Sequence, residues 1–474
     1  MTISEQDDKF REECGLMAVW GHDEPSNLVY LGLYAQQHRG QEGAGIVSYD
    51  SSGDSHFSVH KGIGLVSDVF NNFDFSKLPG RQAIGHVRYT IAGGHLLSNV
   101  QPFCSEISLG KVALAHNGNL VNADTLRNQL ISEGSIFSST SDTEAILHLL
   151  AKSSRNVLKS EAVIAALERL EGAYSLLIMF EDRLFAIRDP KGFRPLCIGR
   201  LDGAYVVASE TCAFDLIGAT YERDVNPGEI VEIMADNTLK SYYPFGVVAE
   251  SKCIFEYVYF ARPDSLIYGR PVYSVRKRMG MELSKEKPVE ADYVIAVPDS
   301  GVPAALGYSE ASKIPFEHGL IRNHYVGRTF IEPSQAIRDF GVKIKLNPNR
   351  EVLQGKRIIV VDDSIVRGTT SRKLIKMLRE AGAKEIHMRI SAPPITDPCY
   401  YGIDTPDKEL LIAATKSLSE IEAYLEVDSL AYLSLDGLYR AVKEDRGKFC
   451  DACFTGLYPI GKGADREQQQ QKLF

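Results

Sequence analysis

The chain has 474 residues, with 53 Lys and Arg against 62 Asp and Glu, a formal net charge of −9. Its 44% hydrophobic and 24% charged residues are an ordinary globular mix, and the length suits about two or three domains rather than a disordered or collagen-like chain. The acidic balance argues against a general nucleic-acid coat or a binder of anionic membranes, and no apolar run reaches the ~18–20 residues of a membrane helix.

In chain order, Met1 to Glu13 is polar and acidic. It lacks the basic start and apolar centre of a secretory signal, and Asp and Glu are rare in transit peptides, so the expected location is the cytoplasm. Eight cysteines are too few for a disulfide scaffold and are expected as thiols, ligands or nucleophiles. From Cys14 to about Gly246, short runs predict strands at Leu16–Trp20, Gly45–Tyr49, Ile84–Tyr89, Val112–His116, Tyr174–Phe180, Tyr205–Ala208 and Glu229–Ile233. Helical patterns interrupt them at Asn122–Glu133 and Asp142–Lys152. In the second, Ile146, Leu147 and Leu150 form the apolar face, and Ser141 or Asp142 is the expected cap. This order predicts a layered α+β domain.

From about Lys252 the texture changes. Strands at Tyr293–Val297, Arg357–Val361 and Glu385–Ile390 alternate with helices at Val302–Ser312 and Ser371–Ala381, an α/β rhythm that predicts a parallel sheet. The expected divisions are 1–13, 14–246, 247–460 and a frayed tail, 461–474.

The run Arg357 to Ser371 carries the most chemistry. Ile358–Val361 reads as a buried parallel strand. Asp362 and Asp363 follow, then Ser364, Ile365, Val366, Arg367, Gly368, Thr369 and Thr370. A helix comes next, with Leu374, Met377, Leu378 and Ala381 on one face and Gly382 at its end. Ligands of open α/β sheets bind at the carboxyl ends of strands, and a helix N-terminus offers free N–H groups to a phosphate. Two carboxylates beside a phosphate make sense when ribose hydroxyls and Mg²⁺ lie between.

This run resembles the 5-phosphoribosyl-1-pyrophosphate (PRPP) motif of type I phosphoribosyltransferases. The resemblance implies that Ser364 to Thr370 hold the 5-phosphate and that Asp362 and Asp363 hold the ribose and Mg²⁺. Val297-Pro298-Asp299-Ser300-Gly301 resembles the pyrophosphate loop of that family, with Ser300 as a Mg²⁺ contact. Asn323 through Lys345 is similar to its lid, whose Arg328 and Lys345 would neutralise pyrophosphate.

Cys14, in Glu12-Glu13-Cys14-Gly15-Leu16, would alone read as a small buried hydrophobe. It is followed by His38-Arg39-Gly40-Gln41-Glu42-Gly43-Ala44-Gly45, Gly85-His86-Val87-Arg88-Tyr89, His116-Asn117-Gly118-Asn119 and Ser141-Asp142-Thr143-Glu144. Together these blocks resemble the class II glutamine amidotransferase domain, a layered αββα N-terminal-nucleophile hydrolase. The resemblance implies that Met1–Glu13 is a propeptide and that the freed α-amine of Cys14 is the base for its own thiol. An amine of pKa ~7.7–8.0 suits a thiol of ~8.5. It further implies Arg88 on the glutamine carboxylate, Asp142 on its ammonium, and Asn117 with the Gly118 N–H as oxyanion hole. Thr90-Ile91 departs from the smaller residues usual there.

Cys450-Asp451-Ala452-Cys453 is a C-x-x-C pair, with Cys253 and Cys399 far off in sequence. Four thiolates suit an iron–sulfur cluster or Zn²⁺, and spacing does not choose. Cys104, Cys197 and Cys212 read as structural.

The whole, from about Glu12 to Pro459, resembles the amidophosphoribosyltransferase family in its Bacillus-like branch. That resemblance implies a [4Fe–4S] cluster on Cys253, Cys399, Cys450 and Cys453. It also implies ammonia passing between the two centres, with Phe330 and Tyr259 as passage walls. Inhibition by purine nucleotides and a homo-oligomer, a tetramer, are further implications, with neither nucleic-acid nor membrane partners. A sugar-phosphate aminating enzyme would share only the first half. A PRPP-sensing regulator would keep the phosphate loop without Cys14, and a transferase with a degenerate N-terminal domain would leave Cys14 unprocessed.

Overall fold

A computed structural model describes residues 14–51, 56–89, 96–323 and 346–461. Met1–Glu13, Thr90, Ile91, Arg328, Phe330 and Lys345 lie outside the described residues.

Two antiparallel sheets form the N-terminal half. In the first, the spatial order is Thr220–Asp224, Cys197–Leu201, Ala204–Ala208, Gly15–Trp20, Gln82–Arg88, Gly43–Asp50 and His56–Ile63. In the second it is Leu239–Tyr242, Ile230–Met234, Arg183–Arg188, Gly172–Phe180, Gly110–Leu120 and Phe103–Ile107. Side chains alternate along each strand, so each sheet has two faces to cover. Leu16, Ala18 and Trp20 of the first sheet meet Ala113, Ala115, Leu177 and Met179 of the second. Met17 and Val19 turn the other way, onto Val29 and Leu33 of the helix Pro25–Ala35. Val112 and Leu114 likewise face the helices Ala123–Ser132, Thr143–Ala151 and Lys159–Leu167. The result is helix, sheet, sheet, helix, and it explains why Leu16–Val19 is apolar throughout.

The C-terminal half holds a parallel sheet of Tyr293–Ala296, Arg357–Asp362, Glu385–Ile390 and Ser429–Tyr432. Ile359 and Val361 face the helices Val272–Glu286 and Val302–Ser312, while Ile358 and Val360 face the helix Thr369–Glu380. Leu374, Met377, Leu378 and Ala381 are all buried, as their spacing predicts.

Two local expectations are corrected. The strand expected to stop at His116 runs on to Leu120, with Asn117 paired to Ser175 and Gly118 to Tyr174. Asp142 occupies the helix N-cap position without capping it, because its Oδ2 accepts from Leu120 N at 3.0 Å instead.

The halves share a polar interface. Asn119 Nδ2 donates to Tyr400 O at 2.9 Å, and Cys253 N donates to Phe193 O at 3.0 Å. Lys252–Cys253 pairs in parallel with Phe449–Cys450, closing a seam between distant parts of the chain.

Candidate functional site

The N-terminal centre draws on residues of both antiparallel sheets. Cys14 opens the central strand of the first sheet, is buried, and its Sγ lies 4.0 Å from Tyr89 O. Arg88 ends the neighbouring strand, also buried. Desolvation pushes its guanidinium pKa down, while the adjacent Cys14 sulfur and the Glu42 carboxylate favour its charge. The thiol and the guanidinium therefore lie close together.

Asn117 arrives from the second sheet and is 0% exposed. Its Nδ2 donates to Ser209 Oγ at 3.3 Å, and the same oxygen accepts from Leu16 N at 3.0 Å. Ser209 thus fixes the amide against the strand that carries Cys14. One Nδ2 hydrogen serves that bond. Asn117 Oδ1 has no hydrogen-bond partner among the described residues. Gly118 has φ +148°, and a Cβ there would stand 2.0 Å from Ala173 O, so only glycine fits.

Asp142 is 20% exposed at its side chain, with Oδ1 3.7 Å from His116 Nδ1 and 3.3 Å from Thr143 Oγ1. Burial opposes its charge, but His116, the Leu120 N–H and Thr143 together hold its pKa below the usual carboxylate value. A carboxylate kept ionised at a pocket edge suits a substrate ammonium. His86 is fully buried. Desolvation pushes its imidazole down to about 3, so it is neutral, with Nε2 3.1 Å from His116 O.

The second centre sits at the carboxyl end of the strand Arg357–Asp362. Asp363 N donates to Asp362 Oδ1 at 2.9 Å, and Ser364 Oγ donates to Asp363 Oδ1 at 2.5 Å. Val297 N donates to Val361 O at 2.9 Å, which sets the Pro298–Gly301 loop beside the acidic pair. Ser300 Oγ and Asp363 Oδ2 are both buried with no hydrogen-bond partner among the described residues. Two orphaned oxygens on adjoining loops are what a hard cation would satisfy. Gly368 has φ +80° and precedes the helix Thr369–Glu380, so the residues from Ser364 to Thr370, including Val366, Arg367 and Thr369, wrap that helix's N-terminus. Ile412 N donates to Val366 O at 2.9 Å and backs the loop.

Cys253, Cys399, Cys450 and Cys453 line a single cavity with Phe255 and Tyr401. Burial, then their mutual proximity, pushes the Cys450 and Cys453 thiols well up. Among the described residues, no three His, Cys, Asp or Glu side chains converge closely enough to hold one metal ion. Four sulfurs lining one apolar cavity have the donor chemistry of an iron–sulfur cluster or of a Zn²⁺ site. Tyr259 is half-buried against Phe260, ring centroids 5.7 Å apart.

Several contributors carry no sequence motif. Ser209 holds Asn117, and Arg322 pairs with Asp299 of the Pro298–Gly301 loop. Gln101 braces the wall behind Asp142, accepting from His116 N at 2.7 Å and donating to Thr143 Oγ1 at 3.1 Å. Their side chains become partners only in the folded chain.

A glutamine amidotransferase domain family matches residues 86–215, and a phosphoribosyl transferase domain family matches residues 274–410. The chain is 56% identical to chloroplastic amidophosphoribosyltransferase 1 of Arabidopsis thaliana, covering 96% of this chain and 80% of that protein. It is 52% identical to the amidophosphoribosyltransferase of Bacillus subtilis (strain 168), covering 94% of each. Among solved structures, the glutamine PRPP amidotransferase of B. subtilis complexed with ADP and GMP superposes with a TM-score of 0.89 at 50% identity, over 95% of this chain and 98% of that one. A structure described as the allosteric regulatory enzyme of purine biosynthesis gives a TM-score of 0.90 at 50% identity, over 95% and 97%.

Proposed function

Because the chain belongs to the amidophosphoribosyltransferase family, whose reaction turns glutamine, PRPP and water into 5-phosphoribosylamine, glutamate and pyrophosphate at the first step of purine biosynthesis, we propose how its own residues divide that work. One observation carries the assignment. Cys14 lies beside Arg88, Ser209 ties Asn117 to the strand that follows Cys14, and Asp142 holds the end of the strand that carries Asn117, while the acidic pair and phosphate loop lie together elsewhere in the same chain.

Removal of Met1–Glu13 frees the α-amine of Cys14, which takes the thiol proton near neutral pH. Arg88 and Asp142 clamp the two charged ends of the amino acid, which leaves the amide carbon facing the sulfur. The Nδ2 group of Asn117 and the Gly118 N–H receive the oxyanion. Ammonia leaves and water clears the thioester. At the second centre the Gly368–Thr370 backbone holds the 5-phosphate, and Asp362 and Asp363 orient the ribose and oppose positive charge developing at C1. Arg328 and Lys345 would complete the pyrophosphate pocket, and Tyr259 and Phe330 the ammonia path. Ser300, Asp362 and Asp363 would hold Mg²⁺, which supplies charge neutralisation for the departing pyrophosphate.

The cysteine cavity supports a [4Fe–4S] cluster in a structural role, since no electron changes hands in the reaction. Purine nucleotides, whose 5-phosphate suits the same loop, are the proposed feedback inhibitors of a homotetramer. Residues 14–246 and 247–460 are the proposed domains, ahead of the tail at 461–474. Eight cysteines held as thiols rather than disulfides among the described residues support a reducing compartment, the cytoplasm. No helix among the described residues is long and apolar enough to cross a membrane.

The test is the Cys14→Ala variant of the full chain. Pyrophosphate release is expected to vanish with glutamine and to persist with ammonia. Persistence with glutamine, or loss with both, refutes the two-centre assignment. Native intact mass reads the loss of Met1–Glu13 and any bound iron and sulfide on the same sample.

A further inference from the structure

Ser209, Glu210 and Thr211 follow the strand Ala204–Ala208 and are buried, with Glu210 at 0% exposure. Three consecutive polar residues in a core need partners, and these find them in two different directions. Ser209 faces the N-terminal centre, where its Oγ accepts from both Leu16 N and Asn117 Nδ2. Thr211 faces the C-terminal half, where its Oγ1 accepts from Leu266 N at 2.8 Å. Glu210, between them, does both. Its Oε1 meets Arg39 Nε and His38 Nε2, the latter at 2.7 Å. Its Oε2 accepts from Ser265 Oγ at 2.7 Å and Arg262 N at 3.0 Å.

The contacts continue without a gap. Arg39 extends its other end to Glu256 Oε2 at 2.6 Å, and Arg194 lies 3.0 Å from Glu256 Oε1. Glu256 begins a π-helical turn, Glu256–Phe260, a form concentrated at functional positions. Arg276 grips that turn, donating to Tyr257 O at 2.7 Å and Ala261 O at 2.8 Å. Arg276 belongs to the helix Val272–Glu286, which packs so closely on the helix Val302–Ser312 that a Cβ on Gly280 would stand 1.8 Å from Ala304 O. The second helix starts directly after Ser300 and Gly301. One unbroken line of buried polar and close-packed contacts therefore joins Asn117 to the Ser300 loop. Glu210 and Arg39 each meet several partners in this line, and buried charge pairs held on both sides tolerate few arrangements, so a shift at one end reaches the other.

We propose that Ser209–Glu210–Thr211 is the joint through which the phosphoribosyl centre sets the geometry of the glutamine centre, with Glu210 as its positioning residue. The proposal rests on the two-centre reading above. Glu210 touches neither substrate; it acts through Ser209 on Asn117 and through Arg39, whose Cβ packs against Gly15 next to Cys14.

The experiment uses the full chain with Mg²⁺ and compares wild type with Glu210→Gln and Ser265→Ala. Ser265→Ala removes one donor to Glu210 from the far side and leaves every buried charge in place, so it reads the joint should Glu210→Gln not fold. Two quantities are measured: the factor by which saturating PRPP changes kcat/KM for glutamine, and ammonia-dependent pyrophosphate release. The expected result is a PRPP factor reduced at least about fivefold with ammonia-dependent release within about twofold of wild type. An unchanged PRPP factor overturns the joint, as does a parallel fall of all rates with melting temperature, which marks a merely structural role. Cys14→Ala run alongside separates the two ideas, because retained glutamine use there refutes the two-centre reading itself.

Discussion

Asn117→Ala separates catalysis from stability. The side chain is completely buried, yet it makes a single long hydrogen bond, 3.3 Å to Ser209 Oγ, and its Oδ1 has no partner among the described residues. Truncation loses about 0.5–1.5 kcal/mol for that bond and about 1 kcal/mol for the small void, and it removes an unsatisfied carbonyl that costs about 1–3 kcal/mol. These terms nearly cancel, so the melting temperature is expected within about 3 °C of wild type. The transition state has no such compensation. Loss of one oxyanion donor lowers kcat for glutamine by about 10²–10³, or about 2.7–4 kcal/mol. Glutamate release at saturating glutamine measures this, and ammonia-dependent pyrophosphate release is the internal control. A glutaminase within tenfold of wild type, or an ammonia reaction that falls in step, refutes the reasoning.

Gly368→Ala places a Cβ 2.9 Å from Ile412 Cδ1 at φ +80°, so the phosphate loop distorts and KM for PRPP rises by about tenfold, while glutamine hydrolysis without PRPP is unchanged. Cys450→Ser is expected to lose iron and sulfide from the native mass together; retention of a full complement would show that the cavity is not the cluster site. Glu210 predicts a pH signature. Burial opposes its charge, but Arg39 and His38 hold its pKa far below the ordinary 4.5. The unfolded state therefore binds its proton first on acidification. The stability gap between wild type and Glu210→Gln should be flat above pH 4.5 and shrink as pH falls toward the depressed folded value. Urea unfolding across that range checks it, and a gap that widens in acid contradicts the pairing.

The parts of the fold driven by burial were legible. Ile358–Val361 is apolar because both sheet faces are covered, and Leu374, Met377 and Leu378 recur at helical spacing because one side is. The edge strand His56–Ile63 escaped notice because, half exposed, it has no alternation to read. Asn117-Gly118 looks like a hairpin turn in sequence, but Gly118 takes up its positive φ inside a continuous ladder. Both centres were visible as short blocks because substrates demand particular groups at particular spacings. Glu210 was not, and Arg39 stood in a recognised block without any sign of its burial, because hydropathy places charges outside and only the folded partners neutralise them. Ser209 was hidden for a similar reason, since a lone serine carries no pattern.

The seam of Lys252–Cys253 against Phe449–Cys450 has a consequence for the order in which the molecule is made. Cys253 is anchored to Phe193 of the first half, while three of the four cavity cysteines lie at or beyond residue 399. The two sheets that carry the proposed glutamine centre are complete in sequence by Tyr242, so they can assemble on a ribosome still translating the remainder. The sulfur-lined chamber cannot exist until the last of its cysteines has emerged and travelled back across almost two hundred residues, a closure whose entropy makes it late. The cluster proposed for this chamber could therefore enter only after Cys453 has been made.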